Sequence, residues 1–88
     1  MRAAEQYLDY SAFSRQGLIE QLEYEDFSTA DATFAVDHIT VDWNAQAAKA
    51  AKAYLDYSAF SRGGLIEQLV YEGYTPAQAA YGATAAGL

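Results

Sequence analysis

Eighty-eight residues bound the chain to one compact domain, or to two half-sized units sharing a core, and exclude a second, large catalytic lobe. Hydrophobic residues make up 52% of it, much of that alanine and tyrosine, so the core must come from a few large side chains closely approached by small ones, as short packed helices allow. Twelve acidic residues against five basic give a formal net charge of -7, which repels nucleic acid and anionic membranes and attracts basic partners, and the lack of cysteine removes disulfides and thiolate metal sites.

Residues 1–6 are polar and helix-prone, without the apolar run of a secretion signal, and no stretch approaches the ~18 consecutive apolar residues of a membrane span. The chain as written is expected to stay in solution. A first helix is expected over Ala3 to Ser11. Ser14 can cap a second that runs through Glu25, with Leu18, Ile19 and Leu22 as its apolar stripe and Phe13 placed to staple the cap. Asp26 ends it in a tight turn of left-handed conformation. Ser28-Thr29-Ala30-Asp31 reads as a capping box with a shorter acid and opens a third helix, Thr29 to Val41, whose Ala32, Ala35, Val36 and Ile39 share a face.

Asp42 can cap a longer helix from Trp43 to about Ser58, with Trp43, Ala47, Ala50, Ala51, Tyr54, Leu55 and Ser58 on one side. Gly73 then takes the place of Asp26. Thr75-Pro76 opens a last helix to Ala86, proline at its first turn losing no hydrogen bond, and this alanine-rich helix is expected to fray.

Tyr7 to Val41 and Tyr54 to Leu88 align at a spacing of 47: residues 7–15 and 54–62 are identical, Gly17 to Leu22 recurs as Gly64 to Leu69, and Phe27-Ser28 becomes Tyr74-Thr75. The expected fold is therefore all-α, a tandem repeat of two three-helix, helix-turn-helix-like units, residues 1–41 and 42–88, joined by a longer central helix over 42–58. No linker rich in glycine, proline or serine separates them, so their relation should be fairly fixed.

The helix-turn-helix outline does not imply DNA binding. In the recognition position, Thr29 to Val41 carries Asp31 and Asp37 but no lysine or arginine, and Pro76 to Ala86 carries no charge, whereas groove reading needs phosphate contacts and donors for base edges. His38 is the single histidine, beside Asp37 and without the partners of a triad or zinc site, and reads as a partly exposed helix residue. Asp42-Trp43-Asn44 lacks the further oxygens of a calcium loop. No catalytic residue, metal or cofactor is expected.

What remains is surface for a protein partner. Glu20, Glu23, Tyr24, Glu25, Asp26 and Phe27 form an acidic and aromatic cluster at the end of the second helix, repeated as Glu67, Tyr71, Glu72 and Tyr74. A solvated acidic face is the competing reading of these positions. Tyr7, Tyr54, Phe13 and Phe60 are expected in the core, while Tyr10, Tyr57 and Tyr74 could lie either way. Arg15 and Arg62, in the first turns of their helices where positive charge opposes the dipole, should each hold a specific carboxylate.

The run Tyr-Leu-x-x-x-x-Phe-Ser-x-x-Gly-Leu-Ile-x-Gln-Leu-x-Tyr-Glu-Gly-Tyr-Thr, Tyr54 to Thr75, resembles the repeat of the host cell surface-exposed lipoprotein (Ltp) family, as does Asp42-Trp43-Asn44-x-Gln46-Ala47 before it. The resemblance spans nearly the whole chain. It implies a tandem of helix-turn-helix-like units on the outer face of a bacterial membrane, found in lipoproteins of temperate phages and in surface proteins of Gram-positive bacteria. Phage members of that family are associated with superinfection exclusion, in which a second phage adsorbs but its genome is kept out, with the tail tape-measure protein as proposed target. By this resemblance the partner is the tape-measure protein, a basic one suiting the charge of -7, and the membrane is reached only through an anchor absent from this chain. A structural or adhesive surface module without an immunity role is the alternative. Two features depart from the pattern: neither signal nor lipidated cysteine is present, which leaves localisation resting on the resemblance, and Asp26 replaces the glycine seen at Gly73, a change expected to alter one turn only.

Overall fold

A computed structural model describes residues 2–88, which form six α-helices and no strand. They are α1 (Arg2–Tyr10), α2 (Arg15–Tyr24), α3 (Thr29–Asp37), α4 (Trp43–Tyr57), α5 (Arg62–Tyr71) and α6 (Pro76–Ala85). Each of α2 to α6 starts where a short polar side chain accepts from the backbone three residues on: Ser14 from Gly17, Ser28 from Asp31, Asp42 from Ala45, Ser61 from Gly64 and Thr75 from Gln78. These bonds satisfy amides that a helix start leaves without intrahelical partners. Gln78 returns the bond to the Thr75 amide at 3.0 Å, closing a full capping box.

The ends of α2 and α5 are built alike. Phe27 N donates to Leu22 O at 3.2 Å and Tyr74 N to Leu69 O at 3.1 Å, the six-residue closure that needs a left-handed residue just before it. Asp26 (φ 71) and Gly73 (φ 105) supply that conformation, as expected of them.

Two apolar clusters result. Ala4, Leu18, Ile19, Leu22, Ala32, Ala35 and Val36 form the first, with Phe13, Tyr7 and Phe27 half-buried around it. Ala47, Ala50, Ala51, Leu65, Leu69, Tyr74, Ala79 and Ala83 form the second, flanked by Tyr54 and Phe60. Trp43 opens α4 yet packs against the first cluster, so one continuous helix plants its aromatic start in one core and its alanine stripe in the other. The molecule is accordingly elongated, about 37 × 20 × 20 Å.

Two expectations need correction. The third helix stops at Asp37, not Val41: His38 caps it, its amide on Phe34 O at 3.1 Å and its ring stacked on Phe34, while Ile39 reaches the first core from the loop. The β-branched run Ile39-Thr40-Val41 favours extended backbone, and Asp42 must be free to cap α4. The last helix, expected to fray, seats against α4 and α5 with Ala79, Gly82 and Ala83 buried. A Cβ on Gly82 would lie 2.7 Å from Ala47 O, so glycine there permits a near backbone-to-backbone approach.

Candidate protein-interaction surface

The acidic and aromatic cluster of the first unit lies at the C-terminal end of α2. Tyr24 projects into solvent with 90% of its surface exposed, among exposed Glu20, Glu25 and Asp26 and half-buried Glu23. Phe27 turns inward onto the first core and closes the turn rather than offering itself to a partner. Several carboxylates are held locally: Thr29 Oγ1 donates to Glu23, Gln16 Nε2 donates to Glu20 at 3.2 Å, and Glu25 accepts from the Tyr7 hydroxyl, raising that phenol above its ordinary pKa. These contacts orient the carboxylates and leave the patch acidic.

Its position works against the fold. The C-terminal end of a helix carries partial negative charge, so acids there cost about 0.3–1 kcal/mol each. The last turn of α2 holds no basic residue to offset them. Eight acidic residues against two basic give residues 1–41 a charge of -6, whereas four against three leave residues 42–88 at -1. Most of the negative charge is therefore on the first unit.

The second unit is not a faithful copy. Tyr71 is exposed at 86%, beside exposed Glu67 and Glu72, but Glu23 and Asp26 are replaced by Val70 and Gly73. Tyr74, an expected surface candidate, is 4% exposed; its ring completes the second core and its hydroxyl donates to Gln46 O at 3.3 Å. Burial and the Glu72 carboxylate push its pKa up. It is removed from the surface because the residue after the left-handed turn faces the core in both units. Glu72 is engaged as well, accepting from Tyr54 OH, which also accepts from Gln68 Nε2 at 3.3 Å.

The arginines diverge too. Arg15 forks onto Asp37 with Nε and Nη2 each at 2.8 Å, an exposed pair that holds the Asp37 carboxyl below the ordinary range. Arg62 instead donates to Thr84 Oγ1 at 2.9 Å, because Thr84 occupies the repeat position of Asp37. Among the described residues no carboxylate takes the place expected for the partner of Arg62.

One concavity lies outside the expectations drawn from the sequence. A groove of about 640 Å³ runs between the units, with the α1–α2 loop on one wall and α4 with the α5–α6 turn on the other. Ser14, 3% exposed, donates to Glu72 O at 2.7 Å while capping α2. Phe13 N donates to Gln46 Oε1 at 3.2 Å, and Lys49 Nζ to Leu8 O at 3.3 Å. A Cβ on Gly73 would meet Ser14 Oγ at 2.7 Å and Gln16 Cβ at 3.0 Å. The glycine thus serves the packing between units as well as its turn. The Asp26/Gly73 difference was the one sign of this in the sequence.

No helix among the described residues is long and apolar enough to cross a membrane. No curated protein and no solved structure gives a match to the chain. The pattern of the family described as host cell surface-exposed lipoprotein matches residues 1–39 and 42–84. With nearly the whole chain covered, this protein belongs to the host cell surface-exposed lipoprotein family.

Proposed function

We propose that this chain is a non-catalytic binding module that excludes superinfecting phage by occupying an incoming tail component, a basic segment of the tape-measure protein, at the outer face of the cell membrane. Attachment is through a lipid anchor outside residues 1–88. The carrying observation is the cluster of Glu20, Glu23, Glu25 and Asp26 around exposed Tyr24: acids, the last three of them at the helix end where the dipole disfavours them, beside an aromatic ring in water. An aromatic anchor ringed by like charge suits a partner with lysines or arginines around an apolar contact. Tyr71 with Glu67 offers a second, weaker copy.

The test is calorimetric titration of the chain with tape-measure polypeptides from phages of a susceptible host, comparing wild type with Glu20→Lys/Glu23→Lys/Glu25→Lys. Wild type should bind, and the variant should bind on the order of tenfold or more weakly, three ion pairs being lost. Lysine at the end of α2 favours the helix, so weaker binding at unchanged helicity reports the patch and not unfolding. Equal affinity removes the patch; absence of binding by wild type removes the partner class.

A further inference from the structure

The two units do not meet through like surfaces. A donor loop on the first, Ser11 to Ser14, leans on an acceptor wall of the second, with Ala12 packed on the second core. A heterologous contact used once leaves one donor and one acceptor unused. Both are on this chain. The unused donor, Ser58-Ala59-Phe60-Ser61, is identical in sequence to Ser11–Ser14, but its Ala59 and Ser61 are exposed where Ala12 is half-buried and Ser14 buried. The unused acceptor is a hollow of about 380 Å³ on the first unit, lined by Ala3, Gln6, Tyr7, Tyr10 and Glu25. Each of these five precedes by 47 positions a residue of the occupied wall: Ala50, Ala53, Tyr54, Tyr57 and Glu72. Arg2 stands where Lys49 reaches the end of α1.

We propose that this hollow is the docking site for the Ser58–Ser61 loop of a second copy of this chain, so that copies associate head to tail. The hollow shares Glu25, and its rim Asp26, with the patch proposed for the phage partner, but the inference does not rest on that reading.

The residues that differ between the two contacts change together. In the occupied contact Gly73, without a side chain, faces Gln16. In the unused one the bulk changes sides: Asp26 takes the glycine's place and Gly63 that of Gln16, with nothing within 4 Å of where a Gly63 Cβ would stand. One close approach carries over, the 2.7 Å between a Cβ at the Gly73 position and the Ser14 hydroxyl, which becomes Asp26 against Ser61 and is relieved by a small shift of the exposed Ser61 side chain.

Charge agrees with shape. Asp26 would face the N-terminus of α5, where backbone amides favour a carboxylate, and Arg62, whose partner within the chain is the hydroxyl of Thr84. Both half-chains that meet are net negative, -6 and -1, so the favourable charge is local to Asp26 and the contact should strengthen with salt screening of the rest. The contact between copies lacks the covalent link that makes the occupied contact intramolecular, so it should be much the weaker of the two.

Sedimentation equilibrium from micromolar to millimolar concentration tests this, with Ala59→Glu spoiling the donor and Asp26→Lys the acceptor. Both sites are exposed, and circular dichroism checks the fold. Wild type should gain average mass without a plateau as concentration rises, since the contact does not close. Each variant alone should stay monomeric, whereas their equimolar mixture, with one intact donor and one intact acceptor, should stop at the dimer. A wild type monomeric at millimolar concentration overturns the proposal and leaves the hollow to another occupant. Association that persists in both variants also overturns it, because another surface would then be responsible.

Discussion

Alanine in place of glycine should have opposite effects at two positions of this chain. Gly82 lies where α6 crosses α4, and an added Cβ would sit 2.7 Å from Ala47 O, 2.8 Å from Ala47 C and 3.1 Å from Ala47 Cβ. Two of these are backbone atoms inside a helix and cannot step aside alone, so α6 must lift. Overpacking of this kind costs about 1–3 kcal/mol, while alanine returns up to ~1 kcal/mol of helix propensity. The net for Gly82→Ala is a loss of about 1–2 kcal/mol. At roughly 4–8 °C per kcal/mol for a chain of this size, the midpoint should fall by about 5–15 °C. Gly63, in the first turn of α5, has nothing within 4 Å, so Gly63→Ala keeps the propensity term and should gain a few tenths to ~1 kcal/mol. Thermal unfolding followed at 222 nm measures both on one instrument. A midpoint for Gly82→Ala equal to or above wild type would refute the close crossing on which the second core depends.

Ser14 and Ser61 share the same local sequence but not the same surroundings. Ser14→Ala should cost about 2–4 kcal/mol, from a lost cap and an unsatisfied Glu72 carbonyl, against about 1 kcal/mol for the cap alone at Ser61; equal losses in urea unfolding would contradict the docking of the two units through Ser14. Asp37 has its pKa lowered by Arg15, so its contribution is present above the unfolded carboxylate value and is lost as pH falls through the folded one. Asp37→Asn should therefore melt below wild type at neutral pH, and the gap should close on acidification and shrink in salt; a gap unchanged down to strongly acidic pH would refute the pairing.

Much of the helical order was legible because it rests on signals within one turn of chain. Ser14, Ser28, Asp42 and Thr75 cap the helices assigned to them, Asp26 and Gly73 adopt the left-handed turn, and Leu18, Ile19 and Leu22 are buried together. Features set by distant contacts were hidden. Tyr71 and Tyr74 are three residues apart in one acidic stretch, yet the turn sends the first to solvent and the second to the core. Phe27 and Tyr74 occupy the same closing position, so their shared inward facing could have been read from the Asp26/Gly73 turn. The missing carboxylate of Arg62 was also readable, by carrying the repeat from Asp37 to Thr84. The groove between the units left only the Asp26/Gly73 difference as a sign, because Ser14 and Glu72 lie 58 residues apart and no local pattern relates them.

The most direct test of the functional account is phage adsorption and genome delivery, scored separately, on susceptible cells displaying this chain from a lipid anchor. An unrelated acidic helical domain and the Glu20/Glu23/Glu25 lysine variant, displayed at equal density, serve as controls. The account predicts normal adsorption throughout, with genome delivery blocked by wild type and restored by the variant. Normal delivery of a broad phage panel into cells displaying wild type would contradict it and favour a structural or adhesive role at the cell surface.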